Sequence, residues 1–90
     1  MRKTSRGVLF VQPANGARHM AIAGDFNRWS PSATPMQFNP ELNVFESIIE
    51  LTCGRYQYRV VIDGQWVPDS YNGESELNTY GEPNSVVTVS

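Results

Sequence analysis

Turn-forming residues interrupt this chain about every ten residues, and that spacing limits its possible folds more than any other feature. The interruptions read "PANGA", "SPSAT", "NPELN", "TCG" and "DG". Between them lie short runs rich in β-branched and aromatic residues, and these runs lack the period of an amphipathic helix. Regularly spaced turns between short β-rich runs are typical of a sandwich or a barrel. The chain is therefore predicted to be all-β.

Seven runs of the chain are predicted as strands. They are Gly7–Gln12, His19–Gly24, Pro35–Asn39, Val44–Leu51, Arg55–Asp63, Gln65–Pro68 and Ser85–Val89. The Asp63-Gly64 pair between two of them predicts a tight hairpin, because glycine accepts a positive φ. The segment from Ser70 to Asn84 is mostly polar and has no clear period, and loops of that length are often functional or mobile.

Alternation along the fifth run assigns its side chains to a dry face and a wet face. The set predicted to be core is Tyr56, Tyr58, Val60 and Ile62. The set predicted to face water or a ligand is Arg55, Gln57, Arg59 and Val61. Strands with one wet side each are typical of antiparallel sheets.

The length and charge of the chain limit its domain count and its partners. Its 90 residues suit one domain, so residues 1–90 are predicted to be a single binding domain. A net charge of −2 argues against nucleic-acid binding, which usually needs a basic patch. Arg2, Lys3 and Arg6 do cluster near the start, but residues 1–6 are predicted to be a flexible N-terminal end rather than a binding arm.

The cysteine count and the lengths of the apolar runs indicate the cellular compartment in which the protein is expected. Cys53 is the only cysteine, so no disulfide within the chain is possible. The apolar run after the basic start is shorter than a signal peptide needs, and no run is long enough to span a membrane. The sequence predicts a cytoplasmic protein without membrane partners.

Side chains that could perform catalysis are scattered. His19 is the only histidine, and Cys53 has no second histidine to activate it. Asp63, Glu74 and Glu76 lie in predicted turns and loops, where they form neither the facing pair that glycoside hydrolysis needs nor a cluster of metal ligands. The sequence therefore predicts no catalytic residue, no metal site, no cofactor and no enzymatic activity of its own.

The only two tryptophans, Trp29 and Trp66, both lie beside turns. A flat aromatic ring matches the C–H face of a sugar, while Arg, Asn and Gln side chains match its hydroxyls. The two rings could therefore form a carbohydrate platform. Tryptophan is also highly buried on average, so the residues alone leave both roles open.

Three segments, taken in order, carry a resemblance that covers the chain from about Gly7 to Val89. They are "GDFNRW" at 24–29, "YQYR" at 56–59 running into "DGQW" at 63–66, and the closing stretch 81–87. Together they resemble the family-48 carbohydrate-binding modules, which include the glycogen-binding domain of the AMP-activated protein kinase β subunit and the N-terminal modules of branching and debranching enzymes. The resemblance implies an immunoglobulin-like antiparallel β-sandwich of about seven strands. It also implies binding of α-1,4-glucans such as glycogen, starch and maltooligosaccharides.

The resemblance further implies a shallow surface site in which aromatic rings stack on glucose units. The residues that match carbohydrate-binding positions of the family are Trp29, Arg59, Trp66, Tyr80 and Asn84. Trp29 and Trp66 match the two stacking tryptophans, Arg59 falls on the position of a hydrogen-bonding lysine, and Asn84 matches an asparagine.

Two positions depart from the pattern of the kinase subunit. Tyr80 stands where that module has a leucine, and it is predicted to act as a third stacking ring. Glu82 stands where that module has a threonine, and it adds negative charge at the rim of the site. Gln57 and Gln65 are further candidates for bonding sugar hydroxyls, whereas Phe26 is predicted to pack internally.

The predicted partner is an α-glucan polysaccharide or oligosaccharide, bound without catalysis. The alternative is a protein–protein interaction or regulatory domain that docks a kinase or a larger glucan-metabolising enzyme, because the fold does not fix the function. In that alternative the two tryptophans belong to a protein interface.

Overall fold

The computed structural model describes residues 2–90, which form nine strands and one short 3₁₀ turn at Asp25–Asn27. The strands are β1 (Arg2–Thr4), β2 (Gly7–Pro13), β3 (Met20–Gly24), β4 (Gln37–Asn39), β5 (Val44–Ile49), β6 (Gly54–Ile62), β7 (Gln65–Val67), β8 (Ser75–Leu77) and β9 (Pro83–Val89). Every pairing between these strands is antiparallel. The prediction of an all-β antiparallel sandwich is confirmed.

The strands form two sheets. One has the order β1-β2-β5-β4, and the other has the order β3-β6-β9-β8, with β7 also paired to β6. Tyr58 pairs with Gly24 of β3 and with Ser85 of β9, so these two strands lie on opposite edges of β6. Residues 60–62 of β6 pair with β3 on one edge and with β7 on the other. Strand β9 also pairs with β6 on the edge away from β3, so β7 and β9 lie along the same edge of β6. Strand β6 is therefore the centre of the second sheet.

The core lies between the two sheets and follows the alternation of the strands. Phe10 of β2 and Tyr58 of β6 meet edge to face at a centroid distance of 5.0 Å, which joins the sheets near the middle of the sandwich. Tyr58 and Val60 are fully buried, as the dry face of the fifth run predicts. Phe26 packs against this core and against Tyr56, so the packing role predicted for it is confirmed.

Two of the nine strands, β1 and β8, are absent from the seven predicted runs. The sequence predicts a flexible end at residues 1–6, but Arg2–Thr4 pair with residues Gly7–Leu9 of β2 as an edge strand. This differs from the prediction because a short polar segment gains strand structure from its partner rather than from its own pattern. Met1 lies outside the described residues.

A buried carboxylate fixes the start of the long segment between β7 and β9. Asp69 is 2% exposed and accepts hydrogen bonds from Gln12 Nε2 at 2.8 Å and from the Tyr58 hydroxyl at 2.6 Å. Its backbone N–H donates to Ser85 Oγ at 2.7 Å. Burial, followed by the hydrogen bond to Asp69, raises the pKa of Tyr58 above its ordinary value of 10.0. The segment predicted as a long loop is therefore anchored to both sheets at its beginning.

Within residues 2–90 no helix has the length and apolar character needed to cross a bilayer. The same residues hold no group of three or more His, Cys, Asp or Glu side chains placed to bind a metal ion.

Candidate functional site

The outer face of the β3-β6-β9-β8 sheet carries a shallow groove with a volume of about 360 Å³. Its lining residues are Trp29, Arg59, Trp66, Asn78, Thr79, Tyr80 and Asn84. The alternation of β6 aims Arg59 outward, and the register places Trp66 of β7 opposite Val61, which lies on the same face as Arg59. All five residues assigned to the site from the sequence therefore meet in one depression.

The turn after β3 presents Trp29 in an unusual backbone conformation. Arg28 and Trp29 both have φ of 58°, in the left-handed region that side chains other than glycine rarely adopt. The turn is closed by the Trp29 N–H, which donates to the Gly24 carbonyl at 2.9 Å. Asn27 holds it further, because its amide Nδ2 donates to the Ile22 carbonyl at 2.8 Å and its Oδ1 accepts from the Gly24 N–H at 3.0 Å.

The indole of Trp29 rests on a small apolar patch on the outer face of the sheet. Ala21, Ala23 and Val61 form this patch, and Trp29 packs against it while staying partly exposed. Small alanine side chains leave room for a large ring to lie over the sheet. The tryptophan is thus supported from below and open at the groove.

Trp66 reaches the same groove from the β6-β7 hairpin. Asp63 and Gly64 have φ of 48° and 86°, the two positive values of the tight hairpin turn that the pair predicts. The Asp63 carboxylate accepts from the backbone N–H of His19 at 2.8 Å, which ties the hairpin to the loop before β3. Trp66 is 39% exposed, so this ring is not a core residue.

Polar side chains line up beside the rings. Arg59 Nε donates to Asn84 Oδ1 at 2.7 Å, and Asn84 Nδ2 donates to Gln57 Oε1 at 2.9 Å. Tyr58 of β6 pairs with Ser85 of β9 in an antiparallel register. The residue after Tyr58 is Arg59 and the residue before Ser85 is Asn84, so the side chains of Arg59 and Asn84 are neighbours across the two strands. The guanidinium is therefore held in one orientation at the floor of the groove.

Tyr80 lies on a turn that a single asparagine closes. Asn78 Oδ1 accepts from the N–H of Tyr80 at 2.9 Å and from the N–H of Glu82 at 3.0 Å. The Tyr80 side chain itself is 86% exposed at the edge of the groove. Sequence reasoning missed Asn78 and Thr79 as lining residues. The "NTYG" stretch holds the signal for Asn78, because asparagine bonds the backbone two residues onward in tight turns.

The two further glutamine candidates have different positions. Gln57 lies on the same face as the groove, but its Nε2 donates to Glu76 and its Oε1 accepts from Asn84. Gln65 pairs with Ile62 next to Trp66 in the strand, so its side chain points to the face opposite Trp66. The alternation of β7 therefore removes Gln65 from the groove.

The groove combines three aromatic rings, one guanidinium and two carboxamides in a shallow, open shape. Rings of this kind pack against flat C–H surfaces, and the guanidinium and amides bond hydroxyls. The two indoles lie at one groove, and neither is enclosed in the interior between the sheets. The arrangement suits a ligand that presents flat C–H patches and many hydroxyl groups.

Comparisons with known proteins identify the family and relatives of this chain. The family model described as the glycogen recognition site of AMP-activated protein kinase matches residues 9–90. Subunit beta-2 of 5'-AMP-activated protein kinase from Mus musculus is 38% identical over 59 residues, which cover 66% of this chain and 21% of that protein, and the Homo sapiens subunit gives the same values. Subunit beta-1 from Sus scrofa is 33% identical over 54 residues, covering 60% of this chain and 41% of that sequence. The match spans about a fifth of the mouse and human relatives.

Proposed function

Because this chain belongs to the family of the glycogen recognition site of AMP-activated protein kinase, we propose that it binds α-1,4-glucans without catalysing a reaction on them. Glycogen, starch and maltooligosaccharides are the ligands in this class. In the alternative, the same sandwich docks a protein partner and the two tryptophans belong to that interface.

The observation that carries the proposal is the meeting of five residues that come from three strands and two turns. Trp29, Arg59, Trp66, Tyr80 and Asn84 line a single groove that opens to solvent. A structural role explains one partly buried tryptophan, but it does not explain a 39% exposed indole and an 86% exposed tyrosine on the same rim. Apolar residues exposed singly are normal on a protein surface, whereas exposed apolar residues that cluster in one place mark a binding site.

Each lining side chain has a proposed role. Trp29 and Trp66 stack on glucose units, and Tyr80 adds a third ring at the edge. Arg59 and Asn84 donate to sugar hydroxyls, and their mutual hydrogen bond at 2.7 Å orients both before a ligand arrives. Side chains held in place before binding lose little conformational entropy when the ligand arrives, which favours affinity.

We also propose that the domain works beside a larger partner in the cytoplasm. The relatives are subunits of AMP-activated protein kinase by name, and the aligned region is only a fraction of their length. A kinase or a glucan-metabolising enzyme is the proposed protein partner, and the domain brings it to the polysaccharide. No nucleic-acid or membrane partner is proposed.

Replacement of Trp66 by alanine tests the proposal directly. The Trp66→Ala variant is expected to lose about 2 kcal/mol or more of binding free energy, because an aromatic ring that the bound ligand covers contributes a large share of the binding energy at a small site. Co-sedimentation with glycogen or amylopectin measures the loss. Equal retention of the variant and the wild type would overturn the proposal.

Two tyrosines supply a matched comparison. Tyr80 and Tyr71 are both exposed, but Tyr80 lines the groove and Tyr71 lines a different depression near β2. The Tyr80→Ala variant is expected to bind glycogen more weakly than Tyr71→Ala, which is expected to match the wild type. Equal losses in both variants would indicate nonspecific aromatic adsorption rather than a site.

A further inference from the structure

The charge of the groove depends on one residue pair. Among the described residues that line the groove, Arg59 is the only charged one. A bare guanidinium binds phosphate well, because its planar donors match two oxygens of a phosphate group. Left unopposed, Arg59 would draw phosphate-bearing sugars into this site.

Glu82 opposes that charge. Its Oε2 lies 3.5 Å from Arg59 Nη1, and the side chains are 61% and 13% exposed respectively. The carboxylate therefore lies on the solvent side of the guanidinium, while Arg59 is largely covered. An anionic ligand that approaches Arg59 from solvent meets the negative charge of Glu82 first.

The backbone holds Glu82 in that place. The N–H of Glu82 donates to Asn78 Oδ1 at 3.0 Å, and its carbonyl accepts from the Asn78 N–H at 2.8 Å. These two bonds fix the turn that carries the carboxylate. The ion pair thus joins the β8-β9 turn to the central strand across the end of the groove.

We propose that Glu82 sets the charge selectivity of the groove, so that the site selects uncharged glucans over glucans that carry phosphate monoesters. This inference rests on the proposed glucan binding. A phosphate monoester carries a charge of about −1.5 to −2 at neutral pH, so the carboxylate repels it. Neutral hydroxyls do not experience that repulsion, and Arg59 remains able to donate to them.

Glu76 provides a matched control on the same face. It accepts from Arg55 Nη1 at 2.8 Å and from Gln57 Nε2 at 2.7 Å, so it is also a carboxylate paired with an arginine. The difference lies in the arginine partners: Arg59, which pairs with Glu82, lines the groove, whereas Arg55, which pairs with Glu76, does not. Removing the charge of Glu76 changes the net charge of the protein by the same amount as removing that of Glu82.

Isothermal titration of the Glu82→Gln variant tests the inference with two probes, maltoheptaose and maltoheptaose carrying one phosphate monoester. The readout is the ratio of the two affinities. The wild type is expected to bind the phosphorylated probe no better than the neutral one. In Glu82→Gln the ratio is expected to shift toward the phosphorylated probe by about fivefold or more, and about 0.5 M salt is expected to remove most of the shift. Glu76→Gln is expected to keep the wild-type ratio.

Three results would overturn the role of Glu82: an unchanged ratio in Glu82→Gln, an equal shift in Glu76→Gln, or a wild type that already prefers the phosphorylated probe. Failure of the wild type to bind maltoheptaose at all would instead overturn the proposed function. Thermal unfolding of each variant checks that the exposed substitutions leave the fold intact.

Discussion

At the scale of single residues, two asparagines determine where two of the three rings of the groove lie. Asn27 holds the turn that presents Trp29, and Asn78 holds the turn that presents Tyr80. Trp29 and its neighbour Arg28 occupy left-handed backbone conformations, which cost about 1 kcal/mol or more each and persist only where the surrounding structure holds them. A strained turn held by side-chain hydrogen bonds favours a functional reason for the position of Trp29 over a packing reason.

The Asn78→Ala variant tests whether this asparagine positions Tyr80. Loss of Oδ1 releases the N–H groups of Tyr80 and Glu82, so the turn loosens and glucan binding is expected to weaken by about threefold or more. A double-mutant cycle with Tyr80→Ala provides the check, because the effect of Asn78→Ala is expected to shrink when the ring is absent. Asn39→Ala, at the end of β4 on the other sheet, is the control, because Asn39 Oδ1 also accepts from a backbone N–H two residues onward, and the variant is expected to bind normally. Full additivity in the cycle would contradict a positioning role.

Sequence reasoning reached some of these residues and missed others for identifiable reasons. Alternation alone placed Arg59 on the wet face, and the structure confirms that placement. Residue types alone raised Trp29 and Trp66 as possible platform rings but left their burial open, since nothing in the local pattern distinguishes an exposed indole from a buried one. The resemblance chose between those two roles and supplied Tyr80 and Asn84. Asn78 was missed because its contribution is a pair of hydrogen bonds to backbone N–H groups: the "NTYG" stretch indicates a turn, but it does not show that the turn lies at the groove.

At the scale of elements, the strands were predictable where they bury an alternating apolar face. All seven predicted runs overlap observed strands. Each run contributes at least one apolar side chain to the core, as Phe10 does in the first run and Val60 in the fifth. Strands β1 and β8, with sequences "RKT" and "SEL", have no such pattern, and both are short edge strands. Both become strands because they form hydrogen bonds to the free edges of β2 and β9. The pattern of the short segment itself does not show that such a partner strand lies beside it.

The buried Tyr58–Asp69 pair is expected to make the stability of the fold depend on pH in the alkaline range. Burial raises the pKa of Tyr58 in the folded chain, whereas in the unfolded chain the hydroxyl titrates near 10.0. Above that pH the unfolded chain releases a proton that the folded chain keeps, so the free energy of unfolding is expected to fall by about 1.4 kcal/mol per pH unit from this group. Below pH 10 its contribution is fully present.

Urea denaturation of Tyr58→Phe between pH 8 and 11 measures this contribution. The variant is expected to be less stable at pH 8 by about 1–3 kcal/mol, because Asp69 loses a donor, and to show a shallower loss of stability above pH 10. Gln12→Met is the control, since it removes another donor to Asp69 without removing a titrating group. It is expected to be destabilised but to keep the wild-type alkaline slope. The same alkaline slope in Tyr58→Phe and wild type would contradict the assignment.

At the scale of the whole molecule, the groove belongs to one face of one sheet. Its residues come from β6, β7, β9 and two turns, and the β1-β2-β5-β4 sheet contributes none of them. Resemblance predicted the five residues, but their meeting depends on the shared edge of β6 and on the register of β7 and β9. A site built on paired strands is more rigid than one built on loops alone, so binding is expected to need little rearrangement of the sandwich.

This one-sided placement gives a prediction that separates glucan binding from protein docking. Titration of the labelled chain with maltoheptaose is expected to shift the indole N–H resonances of Trp29 and Trp66 and the backbone amides of residues 78–84. Amides of β2 and β5 are expected to stay unchanged, because the core separates them from the groove. Cellohexaose is the control, since its β-linked chain is flat, and it is expected to cause no comparable shifts. Shifts spread over both sheets, or equal shifts with both sugars, would argue against a glucan site, and no shift with either would favour the protein-docking alternative.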